Sequence, residues 1–211
     1  MDNQYRKWFG EKHGHTVVSA LRDKGWAAYY AEDLAEAKKI LFETCLPKGV
    51  SVGLGGSETL SAMDILGVLR NGEYKLYDRY DCDDHFEVCR DSLLADYFIT
   101  GTNAITEAGE LVSLDCSGSR VAAIAYGPRH VIVVAGVNKI VPTLEAAVTR
   151  ARSIAPMNCR RNGHATPCAE TGYCGDCNIP DRMCNQLLIT MNAQKFPGKY
   201  SIIIVNEDVG F

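Results

Sequence analysis

The sequence predicts an α/β fold, a mostly parallel sheet flanked by helices, and three observations carry that expectation. Short apolar runs alternate along the chain with stretches of helical periodicity. Two of the runs, Val131–Val134 and Ile202–Val205, are apolar at every position and rich in β-branched residues, as in strands covered on both faces. A glycine-rich turn, Gly53-Leu54-Gly55-Gly56-Ser57, joins a predicted strand to a predicted helix.

Taken in order, the first forty-five residues read as mainly helical. Leu34, Ala37, Leu41 and Cys45 follow helical spacing with charges between them, and Pro47 and Gly49 stop that helix. Ser51 to Leu54 is a short strand and Ser57 to Arg70 a helix ended by Asn71-Gly72. Tyr74 to Tyr77 is the next strand and Asp81 to Ala95 a weakly patterned helix. Strands are expected at Tyr97–Thr100, Leu111–Leu114 and Val131–Val134. Leu144, Ala147, Val148 and Ala151 then define a helix with Pro142 in its first turn, and Ile202–Val205 closes the sheet. The expected organisation is a helical segment over residues 1–50 packed on the core, and an α/β domain over 51–211 that includes a Cys-rich loop at 156–184.

At 211 residues, with 46% hydrophobic and 23% charged residues, the chain has an ordinary globular composition and can bury one full core. A net charge of −4 argues against a predominantly basic nucleic-acid surface. The opening MDNQYRKWFGEKHGH lacks the apolar stretch of a signal peptide, and no apolar run reaches bilayer-spanning length. The expectation is a soluble cytoplasmic protein with neither a nucleic-acid nor a membrane partner. In a reducing compartment, nine cysteines, an odd number, point to metal or redox roles rather than a disulfide framework.

Three stretches carry candidate chemistry. In the glycine turn, Gly53, Gly55, Gly56 and Ser57 either cradle a ligand or simply cap the following helix through Ser57. The turn matches neither the dinucleotide fingerprint, which requires glycine where Glu58 stands, nor a P-loop. Thr100 to Glu110 would emerge at the same sheet edge, with Thr102 and Asn103 orienting a polar substrate and Glu107 as base or nucleophile, against the alternative of a solvated loop. Arg120, after Ser117-Gly118-Ser119, is a candidate partner for an anionic group, or a surface arginine. Asp83-Asp84-His85 reads as a cation site or a solvated face.

The third stretch is Pro156–Asp181, which has almost no apolar periodicity and is dominated by Gly, Pro, Asn and Cys. Such a segment does not bury enough apolar area to order itself, so a cross-link is expected. Cys168, Cys174, Cys177 and Cys184 supply four thiolates, the complement of structural zinc or of a [4Fe–4S] cluster, and the spacing does not choose between them. A redox-active dithiol is the remaining alternative, with Cys159 as an alternative or extra ligand. Cys45 falls at a core position.

Read together, VGLGGSETL, LYDRY, FITGTNAITEAGELV, SGSRVAAIAYGPRHVIVVAGVNKIV, PCAETGYCGDC with RMCN, and IIIVNEDVGF resemble the lactate-utilisation (LUD) domain family, over nearly the whole chain from Ser51 onward. That family includes the C component of the bacterial lactate-oxidation operon. The resemblance implies a fold similar to ribose-phosphate isomerases, glucosamine-phosphate deaminases and CoA transferases, with Gly53, Gly55, Gly56 and Ser57 lining a pocket. It also implies a role in lactate or related organic-acid metabolism, with a small anionic metabolite as ligand. Iron–sulfur redox proteins are the implied partners, and self-association into a homo-oligomer is left open. The alternatives are an isomerase or CoA-transferase-like enzyme that uses Glu107, and a non-catalytic redox-linked assembly subunit. Many members lack the cysteine loop, so its role need not be lactate oxidation.

Overall fold

The computed structural model describes residues 4–211. In chain order the elements are α1 (Gln4–Asp23), β1 (Ala27–Ala31), α2 (Leu34–Ile40), β2 (Ser51–Leu54), α3 (Glu58–Ala62), α4 (Ile65–Asn71), β3 (Lys75–Tyr77) and α5 (His85–Asp91). There follow β4 (Tyr97–Thr100), β5 (Ala104–Thr106), β6 (Leu111–Asp115), α6 (Ser119–Ala125), β7 (His130–Gly136), β8 (Ile140–Val141) and α7 (Leu144–Ser153). The chain ends in α8 (Ala155–Arg161), α9 (Pro167–Thr171), β9 (Gln186–Thr190) and β10 (Tyr200–Val205).

Six strands form one parallel sheet in the order β1-β10-β7-β4-β2-β3. Side chains alternate across a strand, so each central strand feeds two cores. Val131, Val133, Ile202 and Ile204 face Val17, Leu21 and Ile124 from α1 and α6. Ile132, Val134, Ile203 and Val205 face Ala37, Leu60, Ile65 and Leu69 from α2, α3 and α4. That double covering is why these strands read as unbroken apolar runs. A second, mixed sheet of four strands, β8-β5-β6-β9, packs on α7 through Ala104, Val112, Ala147 and Ala151.

Several expectations change. The first fifty residues are not only helical. Gly25, at φ +82°, ends the turn after α1, and Ala27-Ala28-Tyr29-Tyr30-Ala31 becomes the edge strand β1 against β10. Small residues and tyrosines in so short a run give no clear period. The helix expected from Ser57 to Arg70 breaks at Asp64, which adopts the left-handed conformation at φ 48°. Pro142 lies before the N-cap Thr143, whose hydroxyl accepts from the Ala146 amide at 3.2 Å, and so stands outside the helix. The span 156–184 is not one loop either: α8 and α9 occupy its first half, each with proline in its opening turn, where the missing N–H costs nothing.

Candidate functional site

Parallel strands place all their carboxyl ends on one edge of the sheet, and a cleft of about 440 Å³ opens there. The chain leaves β2 for β3 on one side and returns to β4 on the other, so the cleft sits where the winding direction reverses, the usual ligand position in open α/β sheets. Gly56, Ser57 and Glu58 line it after β2, Gly101, Thr102 and Asn103 after β4, and Lys139 after β7. The opposite wall comes from α8 and the cysteine loop, through Asn158, Arg161, His164, Met183 and Cys184.

The structure thus brings together Gly56, Ser57, Thr102, Asn103 and Arg120, but in different capacities. Gly53 and Gly55 are not in the lining. A Cβ on Gly55 would lie 2.4 Å from Thr100 Oγ1 and one on Gly53 2.8 Å from Ser92 Cβ, so both let β2 approach its neighbours closely. Gly56 is different, with 3.7 Å to the Tyr80 hydroxyl and 3.9 Å to Arg161. Ser57 caps α3, its Oγ accepting from the Leu60 amide at 3.4 Å, while lining the cleft.

Thr102, Asn103 and Arg120 hold the wall in shape. Thr102 Oγ1 donates within 2.8 Å of the Val112 carbonyl. Asn103 Oδ1 accepts from the Leu114 amide at 2.8 Å and from Arg120 Nη2 at 2.9 Å. Arg120 also donates to the carbonyls of Gly101 at 3.2 Å and Leu114 at 2.6 Å and lies 3.5 Å from Asp115. Burial depresses its pKa, partly offset by the Asp115 carboxylate. Its guanidinium is occupied by the protein rather than offered to a ligand. Asp115 Oδ2 and Arg79 Nε, both on lining residues, are buried without a hydrogen-bond partner.

Glu107 is placed elsewhere. The expected polar turn, Thr100 to Glu110, is interrupted by β5, a buried strand whose three residues carry the chain roughly 10 Å away from Asn103 at the usual rise of about 3.3 Å per residue. The Glu107 carboxylate then sits half exposed, 3.9 Å from His13 Nδ1, and is not among the cleft's lining residues.

Sequence reasoning missed Lys139, the most unusual cation in the cleft. It is 4% exposed and its ammonium donates to Thr59 Oγ1 at 3.0 Å. Burial, with the neighbouring Arg150 and Arg120 charges, pulls its pKa from 10.5 down to about 8. The signal was a lysine just past the carboxyl end of a fully buried strand. Arg161, which pairs with Glu58, and Arg79, whose Nη2 lies 2.9 Å from His85 Nε2, were also missed. Asp84 caps α5 through the Phe86 and Glu87 amides at 2.9 and 3.1 Å, which gives this member of the acidic pair beside His85 a structural role.

The nine cysteines are free thiols. Cys45 is buried in the core and Cys116 lines the cleft. A separate cavity of about 20 Å³ is lined by Cys159, Cys168, Cys174, Cys177 and Cys184. Burial and the nearby Cys159, Cys174 and Cys168 thiols raise the Cys184 pKa to about 11. Burial also raises that of Cys159. Among the described residues, no three His, Cys, Asp or Glu side chains are already gathered around a common point. None of the described helices is long and apolar enough to cross a membrane.

The sheet with its cleft at the strands' carboxyl ends defines an α/β protein of the doubly wound class. The family model for the LUD domain matches residues 15–205, and the chain belongs to the LUD-domain family. A solved DUF162 family protein from Deinococcus radiodurans shares the fold, with a TM-score of 0.51 at 15% identity over 92% of this chain and 96% of that one. The β subunit of eIF2B from Chaetomium thermophilum matches more weakly, with a TM-score of 0.32 and 16% identity over 63% of this chain and 44% of that one. No curated protein matches the sequence.

Proposed function

We propose that this LUD-domain protein binds a small anionic metabolite in the cleft, a carboxylate of the lactate or related organic-acid class, with Lys139 as its principal counter-charge. One observation carries the reading. Lys139 is buried at the cleft, its charged neighbours are the cations Arg150 and Arg120, and it pairs with no carboxylate among the described residues. Burying an unpaired charge is unfavourable, and an anion in the cleft compensates it. The unpartnered Arg79 Nε is a further donor on the same wall. Titration calorimetry with short 2-hydroxy and 2-oxo carboxylates, sugar phosphates and acyl-CoAs tests the reading. A short carboxylate binds the wild type and fails to bind Lys139→Met; silence across the panel, or binding of sugar phosphates or acyl-CoAs alone, disposes of the ligand assignment.

The cysteine loop is read as a metal clasp, holding zinc or a [4Fe–4S] cluster, because five thiols from two helices and the following loop share one cavity. Such a clasp suits a reducing, cytoplasmic setting and a redox-linked partner. The isomerase or CoA-transferase reading draws no support from the geometry, since Glu107 lies outside the cleft it would need to serve.

A further inference from the structure

The spacing of sulfurs in the cysteine cavity bears on what occupies it. Cys159 on α8 and Cys168 on α9 are both buried, and their sulfurs lie 3.7 Å apart. Two sulfurs bound to one tetrahedral zinc, with Zn–S bonds of about 2.3 Å, stand about 3.8 Å from each other. In a four-iron cluster each cysteine holds a different iron, and the cluster body keeps the sulfurs much farther apart. The cavity, at about 20 Å³, has room for one water-sized sphere.

We propose that this cavity is a mononuclear zinc site in which Cys159 and Cys168 form one edge of the tetrahedron, with two of Cys174, Cys177 and Cys184 completing it. The proposal rests on the reading of the loop as metal-binding, but selects the ion and adds Cys159 to the ligand set. Zinc enters as Zn²⁺, four thiols release four protons, and the resulting centre carries two negative charges. Arg152 and Arg182 line the same cavity and share the Asp176 carboxylate, at 3.0 and 2.8 Å, which leaves one net positive charge to offset them. Arg182 is already fixed there, donating to the Cys177 carbonyl at 2.6 Å and to that of Cys184 at 3.0 Å.

Two of the ligands are therefore preset by helices, and the others ride on the segment 172–185, which has neither helix nor strand. Among the described residues no three of these thiols are gathered around one point, so the proposal requires the loop to close on the ion; a Cβ on Gly172 or Gly175 would meet no heavy atom within 4 Å. Met183 and Cys184 line both the cysteine cavity and the large cleft, so closure also shapes the cleft wall.

The test is elemental analysis of anaerobically purified full-length protein, with acid-labile sulfide and X-ray absorption at the zinc edge. About one zinc per chain, four sulfur neighbours near 2.3 Å and no iron or sulfide are expected. Cys159→Ser and Cys168→Ser, each checked for folding by circular dichroism, should both lose zinc to a chelator that the wild type withstands. Zinc retained in folded Cys159→Ser overturns the proposed ligand set while leaving a metal clasp in place, as does iron with sulfide in the wild type. Fewer than four sulfur neighbours overturns it even where a variant does not fold. No metal at all overturns both the proposal and the clasp.

Discussion

An ammonium group buried without a counter-charge leaves a signature in the pH dependence of stability. The Lys139 pKa is about 8 in the fold and 10.5 in the ordinary case. Below pH 8 both folded and unfolded chains carry the proton, and the fold bears the full penalty. Between about 8 and 10.5 the unfolded chain binds more protons than the folded one, so stability rises with pH across that window. At about 1.4 kcal/mol per pH unit, the penalty at pH 7 is of the order of 3 kcal/mol. Lys139→Met should therefore be more stable than wild type at neutral pH and lose the extra rise, as read from urea unfolding at a series of pH values. An unchanged slope would remove Lys139 from its assigned role. Arg120 behaves in the opposite sense. Arg120→Ala leaves Asp115 and three acceptors behind in a buried setting, and the cost of breaking such a buried pair is roughly 3–5 kcal/mol. Its Tm should drop sharply in calorimetric scans, whether or not ligand is present.

At the scale of elements, the turn between β2 and α3 separates packing from recognition one residue at a time. The Gly55 amide donates to the Ile99 carbonyl at 2.9 Å, and the residue is pressed against Thr100. Gly55→Ala thus forces β2 and β4 apart, at the 1–3 kcal/mol or so typical of overpacking. Gly56→Ala meets only ordinary contacts and should melt close to wild type while altering ligand affinity. Equal melting of the two variants would contradict this division. Within the central sheet β7 and β10 were legible because both are apolar on both faces, and the turn after β2 because glycine and an N-cap stand together. β1, β5 and β9 were not, since short strands with mixed or small residues owe their place to tertiary pairing. In the site, Gly56 and Ser57 were readable from local chemistry. Lys139 and Arg161 were not, because each reaches the cleft through chain reversals that seat β7 next to β4 and bring Arg161 of α8 against Glu58 at the start of α3. Cys159 stood in the sequence only as an alternative or extra ligand, since its nearness to Cys168 follows from the packing of two short helices.

For the whole molecule, the division of labour between sheet and cysteine segment predicts where metal removal is felt. The parallel sheet draws its stability from two apolar layers that include Val133, Ile202, Ile132 and Ile203, none of which touches the cysteine cavity. The segment around α8, α9 and residues 172–185 has little apolar core of its own: Cys159, Cys168, Ala155 and Pro156 are its main buried side chains, and residues 172–185 have none. If the segment holds the proposed zinc, stripping it should leave amide-exchange protection in β7 and β10 unchanged and abolish it locally over residues 155–185, because opening there is sub-global. Met183 and Cys184 face both cavities, so the loosened wall should also weaken anion binding in the cleft. By linkage, the anion should tighten metal retention by the same factor. Hydrogen exchange with and without chelator, paired with calorimetry on the same samples, measures both sides of that cycle. Uniform loss of protection would mean that the metal supports the entire fold. Local loss with unaltered anion affinity would mean that the clasp and the cleft share a wall but no function.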